Sequence, residues 1–221
     1  RAFDKRIAKH CVARAGVPVA DAVLIETDDP GSAARSLRDL LERHGRVVAK
    51  PVADGSSVGL FHVRGGDDVA AAAEAIAASG KAYLAEQFVD GTELTVGVVD
   101  AGNGPVALCA SEVRLAPGRA FDFEGKYLGK GTVEITPAEV PEAVSRAAMD
   151  IALAAHIALG CEGYSRTDVI AGADGPVFLE TNTLPGLTRA SFLPQQLAVV
   201  GTSMRTFLEQ QVALAVRRRD A

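Results

Sequence analysis

Apolar positions return along this chain with two periods that alternate from segment to segment. Spacing of three and four residues marks helices. Asp4 can cap a first helix through about Ala15, which Gly16 ends and Pro18 keeps from resuming. Ala33, Leu37, Leu40 and Leu41 give Ser32–His44 one apolar face, with Gly45 as its stop. Asp67–Ser79 is an alanine-rich helix by propensity. Pro141–Leu159 repeats the helical pattern at Val144, Ala148, Ile151, Ala155 and Ala158. Ser203–Val216 reads as an amphipathic helix. Between these lie short runs that predict strands at Ala22–Ile25, Arg46–Lys50, Leu60–Val63, Ala82–Phe88, Glu93–Asp100 and Val106–Val113. The loop Asp54–Gly59 reads as the tip of a hairpin. Gly163–Ile170 and Pro176–Glu180 read as a second hairpin turning through Gly172–Gly175, followed by a turn-rich loop, Asn182–Thr188. The stretch from about Leu115 to Thr136 is polar, glycine-dotted and without periodicity, the pattern of a lid or binding loop.

Composition narrows the function. The 221 residues are 48% hydrophobic and 23% charged, with a formal net charge of −5. This is ordinary globular usage, enough for one large domain or two lobes. The basic block Arg217-Arg218-Arg219 stands alone, which argues against a broad nucleic-acid footprint. No apolar run approaches the roughly 20 residues of a membrane helix, and no secretory pattern opens the chain. The start at Arg1 rather than Met suggests a fragment or a processed chain. Cys11, Cys109 and Cys161 are odd in number and widely spaced, which fits a reducing cytoplasm better than a disulfide framework. His10, His44, His62 and His156 are scattered and read as surface or packing residues.

Two clusters carry candidate chemistry. Arg166 and Asp168 lie two apart on one strand, as do Glu180 and Asn182 at the end of the next, so each pair shares a face. If those strands pair, three oxygen-bearing side chains converge beside one guanidinium. Such donors suit Mg²⁺, which binds nucleotide phosphates at the same time. Spacing alone leaves a surface salt bridge as an equal reading. The second cluster is Lys50 with the small residues of Gly55-Ser56-Ser57-Val58-Gly59, whose backbone could close over an anion. It is not a Walker loop, because no Lys-Ser/Thr pair follows Gly59. Gly55-x-Ser57-x-Gly59 also fits a hydrolase nucleophile elbow, which would need a histidine from His62 or His156.

Taken together, these segments resemble the D-alanine–D-alanine ligase family of the ATP-grasp superfamily. The resemblance runs through Phe3-Asp4-Lys5, Gly16-Val17-Pro18-Val19, Lys50-Pro51 with the glycine loop, Glu86 to Val96, Lys126-Tyr127, Gly160 to Asp168 and Leu179 to Thr188. It implies an α+β ATP-grasp fold, in which two α+β lobes clamp ATP between antiparallel sheets. Residues 1–91 would form the smaller lobe and 92–221 the larger, with the lid loop at about 115–136.

The resemblance also implies roles. Lys5 and Lys50 would contact ATP phosphates. Glu86 with the backbone of Gln87 and Val89 would read adenine, and Glu93 would hold the ribose. Asp168 and Glu180 would bind one Mg²⁺, and Glu180 and Asn182 a second, with Mn²⁺ able to substitute. Arg166 and the Gly186 N–H would hold the oxyanion of a tetrahedral intermediate. Ser191 and Lys126 would bind the second substrate's carboxylate, beside Phe192 where the family usually carries leucine. Ser56 and Tyr127 would tie the glycine loop to the lid. The implied reaction activates one D-alanine as an acyl phosphate and joins it to a second for the peptidoglycan precursor. The implied partners are the small molecules D-alanine and ATP, with no nucleic acid and no membrane, and the family is compatible with a homodimer. An N-terminal domain that members carry ahead of this region has no counterpart here. Two alternatives therefore stay open: another ATP-grasp ligase using D-serine, D-lactate or a further amino acid, and a non-catalytic ATP-binding module.

Overall fold

The computed structural model describes residues 1–54, 58–115 and 132–219. Two antiparallel sheets organise the chain, and local sequence explains where their elements start and stop. Helix α1 (Lys5–Arg14) begins where the Asp4 carboxylate accepts the Ile7 N–H at 2.9 Å. Strand β1 (Ala22–Ile25) leads to α2 (Pro30–His44). Asp29 caps α2 by accepting from Gly31 and Ser32, Pro30 presets its first turn, and left-handed Gly45 ends it. Strands β2 (Val47–Pro51) and β3 (Phe61–Val63), helix α3 (Gly66–Ser79) and strand β4 (Tyr83–Gln87) complete the smaller unit. Its strand order is β1-β4-β2-β3, and β2 and β3 form the expected antiparallel hairpin. Leu37, Leu40, Val47, Val63, Val69, Ile76 and Ala85 fill its core. Gly59, which closes the glycine loop, holds φ +71°; a Cβ there would stand 2.9 Å from the Tyr83 hydroxyl. Only glycine satisfies both constraints.

The larger sheet joins β5 (Gly91–Asp100), β6 (Pro105–Leu115), β7 (Thr132–Ile135), β8 (Tyr164–Gly172) and β9 (Gly175–Asn182) in the order β7-β6-β5-β8-β9. Helix α4 (Glu142–Leu159) covers one face, contributing Ala148, Ile151, Ala152, Ala155 and Leu159 to a core with Leu94, Val96, Val98 and Val169. Helix α1 packs into this same core through Ala8 and Val12. The segment after it docks on β9, where Val19 bridges Phe178 in parallel and the Phe178 N–H donates to Pro18 O at 2.9 Å. On the opposite face, α5 (Phe192–Val199) and α6 (Met204–Arg219) pack Leu193, Leu197 and Phe207 against Val99 and Leu108.

Three readings change. The end of the long segment taken as a loop is strand β7, pairing Thr132–Ile135 with Leu115–Glu112, because Val133 and Ile135 extend the β6 edge. Residues 116–131 lie outside the described residues. Helix α5 has no counterpart among the predicted elements. Helix α6 exists, but its apolar stripe does not dock: Phe207 is buried, whereas Leu208, Val212 and Val216 are exposed. The docked face carries Gln211, whose Nε2 donates to Asp100 O at 2.9 Å, together with Leu214 and Arg218.

Candidate active site

The hairpin β8–β9 sets the register that the spacing anticipates. Asp168 stands opposite Glu180, Thr167 opposite Thr181 and Arg166 opposite Asn182, with a register shift just after Asp168. Thr167 and Thr181 are buried and join hydroxyls at 2.8 Å, so their neighbours turn to the other face. Arg166 forks onto Asp168, with Nε–Oδ1 at 3.1 Å and Nη2–Oδ2 at 2.9 Å. The Thr95 hydroxyl donates to Asp168 Oδ1 from the adjoining β5. Asp168 is 4% exposed, so the surface salt bridge is excluded as its description. Asn182 is exposed, and its Oδ1 accepts the Leu184 N–H at 2.9 Å, which shapes the turn that follows.

These oxygens suit a hard cation. Among the described residues no three His, Cys, Asp or Glu side chains assemble to hold a metal ion. The set here is two carboxylates and the amide of Asn182. Three hydrogen bonds occupy Asp168, and a carboxylate has about four acceptor positions, so room remains on Oδ2. The donors therefore fit Mg²⁺ without requiring Arg166 to leave.

The smaller sheet contributes a second cluster. Glu86 on β4 is 5% exposed and forms ion pairs with both Lys9 and Lys50. Burial works to raise the Glu86 pKa, but the two ammonium groups outweigh it and hold the carboxyl below its ordinary range. Lys9 also donates to Ala20 O at 2.9 Å. The Gln87 N–H donates to Asp21 O at 2.8 Å, and Val89 lies against Gly172 of the larger sheet. Glu93, also buried, stands opposite Ile170 on β8.

Lys5 joins the two clusters. Its Nζ donates to Asp54 O, and its charge is felt by Glu180 on the larger sheet and by Lys50 and Glu86 on the smaller. Burial lowers its pKa, with Glu180 acting in the opposite direction. At the far end of β9, Gly186 lies against Ser191: a Cβ on Gly186 would stand 2.7 Å from the Ser191 hydroxyl, which pairs with Thr188 Oγ1 at 2.9 Å. Ser191 precedes α5 and Phe192 opens it. Ser56, Lys126 and Tyr127 lie outside the described residues. Ser57, the nucleophile a hydrolase reading needs, also lies outside the described residues. His156 is buried in α4 with Nδ1 on the Ser165 hydroxyl at 2.7 Å, and the His62 ring packs edge-on to Phe88.

Reading by motif passes over Lys9, Thr95, Glu134 and Gln196. Lys9 follows Lys5 by one helical turn, a signal the sequence offered. Thr95 is identified only by its register with Asp168. Glu134 on β7 feels the charge of Arg166, while burial raises its pKa. Gln196, fully buried, accepts the Gly97 N–H at 2.8 Å and donates to Thr95 O and Ser111 Oγ, each at 2.9 Å.

Two antiparallel sheets with flanking helices, Lys50 and Glu86 on one and Asp168 and Glu180 on the other, make this an ATP-grasp fold. The profile described as D-ala D-ala ligase C-terminus matches residues 11–213. A D-alanine–D-alanine ligase of Gluconobacter oxydans is 40% identical over 98% of this chain and 69% of its own length. The Syntrophobacter fumaroxidans enzyme of that name is 37% identical over 97% of this chain and 68% of its own. The crystal structure of the Bacillus anthracis D-alanine–D-alanine ligase is 26% identical, with a TM-score of 0.80 over 99% of this chain and 69% of that one. The VanG D-Ala:D-Ser ligase of Enterococcus faecalis is 28% identical, with a TM-score of 0.83 over 96% of this chain and 61% of that one. The chain thus spans about two thirds of the length of these relatives. It belongs to the D-alanine–D-alanine ligase family.

Proposed function

We propose that this chain carries the nucleotide, metal and D-alanine sites of an ATP-dependent ligase that joins two D-alanines for cell-wall precursor synthesis. The observation that carries the reading is the pairing of Asp168 with Glu180 and of Arg166 with Asn182 across one hairpin. A triphosphate lying between the sheets would meet ammonium groups from one side and a metal-binding carboxylate pair from the other. On this reading the buried Glu86, held by Lys9 and Lys50, would accept from an adenine amino group, and Glu93 from a ribose hydroxyl. Asp168, Glu180 and Asn182 would hold Mg²⁺, which when bound neutralises phosphate charge. Cytoplasmic location rests on the three free cysteines; among the described residues no helix is long and apolar enough to cross a membrane. On this reading the smaller lobe ends near residues 91 and 92, where the chain changes sheet between β4 and β5, while α1 and the segment to Val19 pack with the larger sheet.

In the first step an oxygen of the D-alanine carboxylate attacks the γ-phosphorus, and the bond to the ADP oxygen breaks. In the second the amine of another D-alanine attacks the acyl carbon, phosphate departs, and the amine loses a proton. On this reading Arg166 and the Gly186 N–H would donate to the oxygen that becomes negative in that second step. Ser191, held by Thr188 against Gly186, orients the incoming carboxylate. Phe192 walls the same pocket.

Calorimetric titration tests the reading. ATP should bind with Mg²⁺ and bind weakly after chelation, and GTP should bind more weakly than ATP. Equal ATP and GTP affinity, or indifference to Mg²⁺, overturns it.

A further inference from the structure

Two lysines share the buried Glu86 carboxylate, and only one of them lies on the strand read as a phosphate contact. Lys50, on β2, reaches Glu86 from the neighbouring strand of the smaller sheet. Lys9 comes from α1, is 8% exposed, and is anchored a second time by the Ala20 carbonyl at 2.9 Å. One attachment ties α1 to β4 of the smaller sheet and the other to the segment leading into β1.

We propose that Lys9 is a positioning residue for nucleobase recognition: it keeps Glu86 ionised and in place when Lys50 turns to the nucleotide phosphates. A carboxylate buried on this scale cannot stay charged without a counter-ion. If Lys50 were its sole partner, phosphate binding would strip Glu86 of that charge as adenine arrives. The carboxylate would then take up a proton and present a donor where adenine's amino group needs an acceptor. Lys9 removes the conflict because Ala20 and Glu86 hold it whether or not nucleotide is present. The adenine acceptor and the phosphate cation are thereby made independent, although one carboxylate contacts both lysines in the free protein. This inference rests on the assignment of Glu86 to the adenine edge.

Lys9→Met and Lys9→Arg separate the possibilities. Binding of Mg-ATP and Mg-GTP to the full chain is measured by calorimetry. Lys9→Met should weaken ATP by about tenfold, the worth of one charge-assisted hydrogen bond, and leave GTP nearly unchanged, so the preference for ATP collapses. Lys9→Arg should restore most of it. A Lys9 that merely supports the fold would lower the affinity for both nucleotides in proportion, leaving their ratio intact, and that result overturns the proposal. Should Lys9→Met not fold, Lys9→Gln keeps a donor to the Ala20 carbonyl without the charge, and the same ratio decides. A wild-type chain that does not discriminate ATP from GTP refutes the Glu86 assignment instead, so the two failures are distinct.

Discussion

Arg166 and Asp168 sit two residues apart on β8, and the guanidinium closes on the carboxylate through both Nε and Nη2, at 3.1 and 2.9 Å. A planar fork on a planar acceptor fixes the arginine's direction as well as its charge. Arg166→Lys keeps the charge and loses the fork. If Arg166 supplies an oxyanion donor, ATP-dependent phosphate release with D-alanine should fall by about 10²-fold or more. ATP affinity should change little. A variant with full turnover would remove Arg166 from the chemistry.

Glu180 faces Asp168 across the hairpin but is only partly buried. Glu180→Gln keeps its shape and removes one negative charge. The expected outcome is an unchanged melting temperature, within about 2 °C for a surface-like change in a chain of this size, together with loss of the Mg²⁺ requirement for ATP binding. Calorimetry with and without chelator reads it.

The buried triad predicts an unequal pair of destabilisations. Glu86→Gln strands two ammonium groups and should cost about 3–5 kcal/mol. Lys50→Met leaves Glu86 with Lys9 and should cost clearly less. Urea unfolding of both variants decides, and the reverse order would contradict the shared pairing.

His156 gives the pH dependence of stability a defined sign. Burial lowers its pKa from the ordinary 6.5, with Asp100 acting the other way. Between the folded and unfolded values the unfolded chain binds the extra proton. Stability from this group is therefore complete above about pH 6.5 and lost as pH falls below it. Glu86, with its pKa depressed, adds a further loss below its ordinary 4.5. Melting temperature should fall between pH 7 and pH 5, and His156→Gln should flatten that slope.

Gln196 fastens α5 into the larger sheet. Its amide meets Gly97, Thr95 and Ser111 beside the register shift between Val96 and Val98 in the β5–β6 pairing. Gly97 leaves room for it, since a Cβ there would stand 2.6 Å from Gln196 Oε1. Gln196→Leu takes a partner from each of those groups; Ser111 keeps the Thr136 hydroxyl at 2.7 Å, and each buried group left unpaired should cost about 1–3 kcal/mol. The Gly97 amide should also lose its protection from hydrogen exchange.

The same residue explains why α5 was illegible. Phe192–Val199 is short, contains Pro194, and buries a glutamine where pattern reading expects an apolar residue. The β8–β9 hairpin was legible because a period of two fixes which side chains share a face, and the Gly172–Gly175 turn fixes the register. Lys50 and Glu86 were legible as members of motifs, but their mutual pairing was not. Cross-strand neighbours such as Val48 and Glu86 come from sheet order, which neither sequence segment contains. Helix α6 misled for a related reason. Its apolar stripe obeys helical spacing, yet the groove it meets offers backbone carbonyls at Asp100 and Ala101, and polar Gln211 and Arg217 answer them.

Helix α1 packs in the core of the larger sheet, although most of the chain that follows it builds the smaller one. The smaller sheet is therefore an insertion, entered after Val19 and left again before Gly91. Two neighbouring strands of backbone, rather than one, carry it. Besides these crossings, the Lys5 N–H donates to Val52 O at 3.0 Å and Lys9 pairs with Glu86, so side chains and backbone of α1 also hold the insert. Lys5 and Lys9 ride with the larger body, whereas Lys50 and Glu86 ride with the insert. Severing the chain at residues 90–91 would not yield two independent halves, because the larger one would lack Ala8, Val12 and Val17 from its interior.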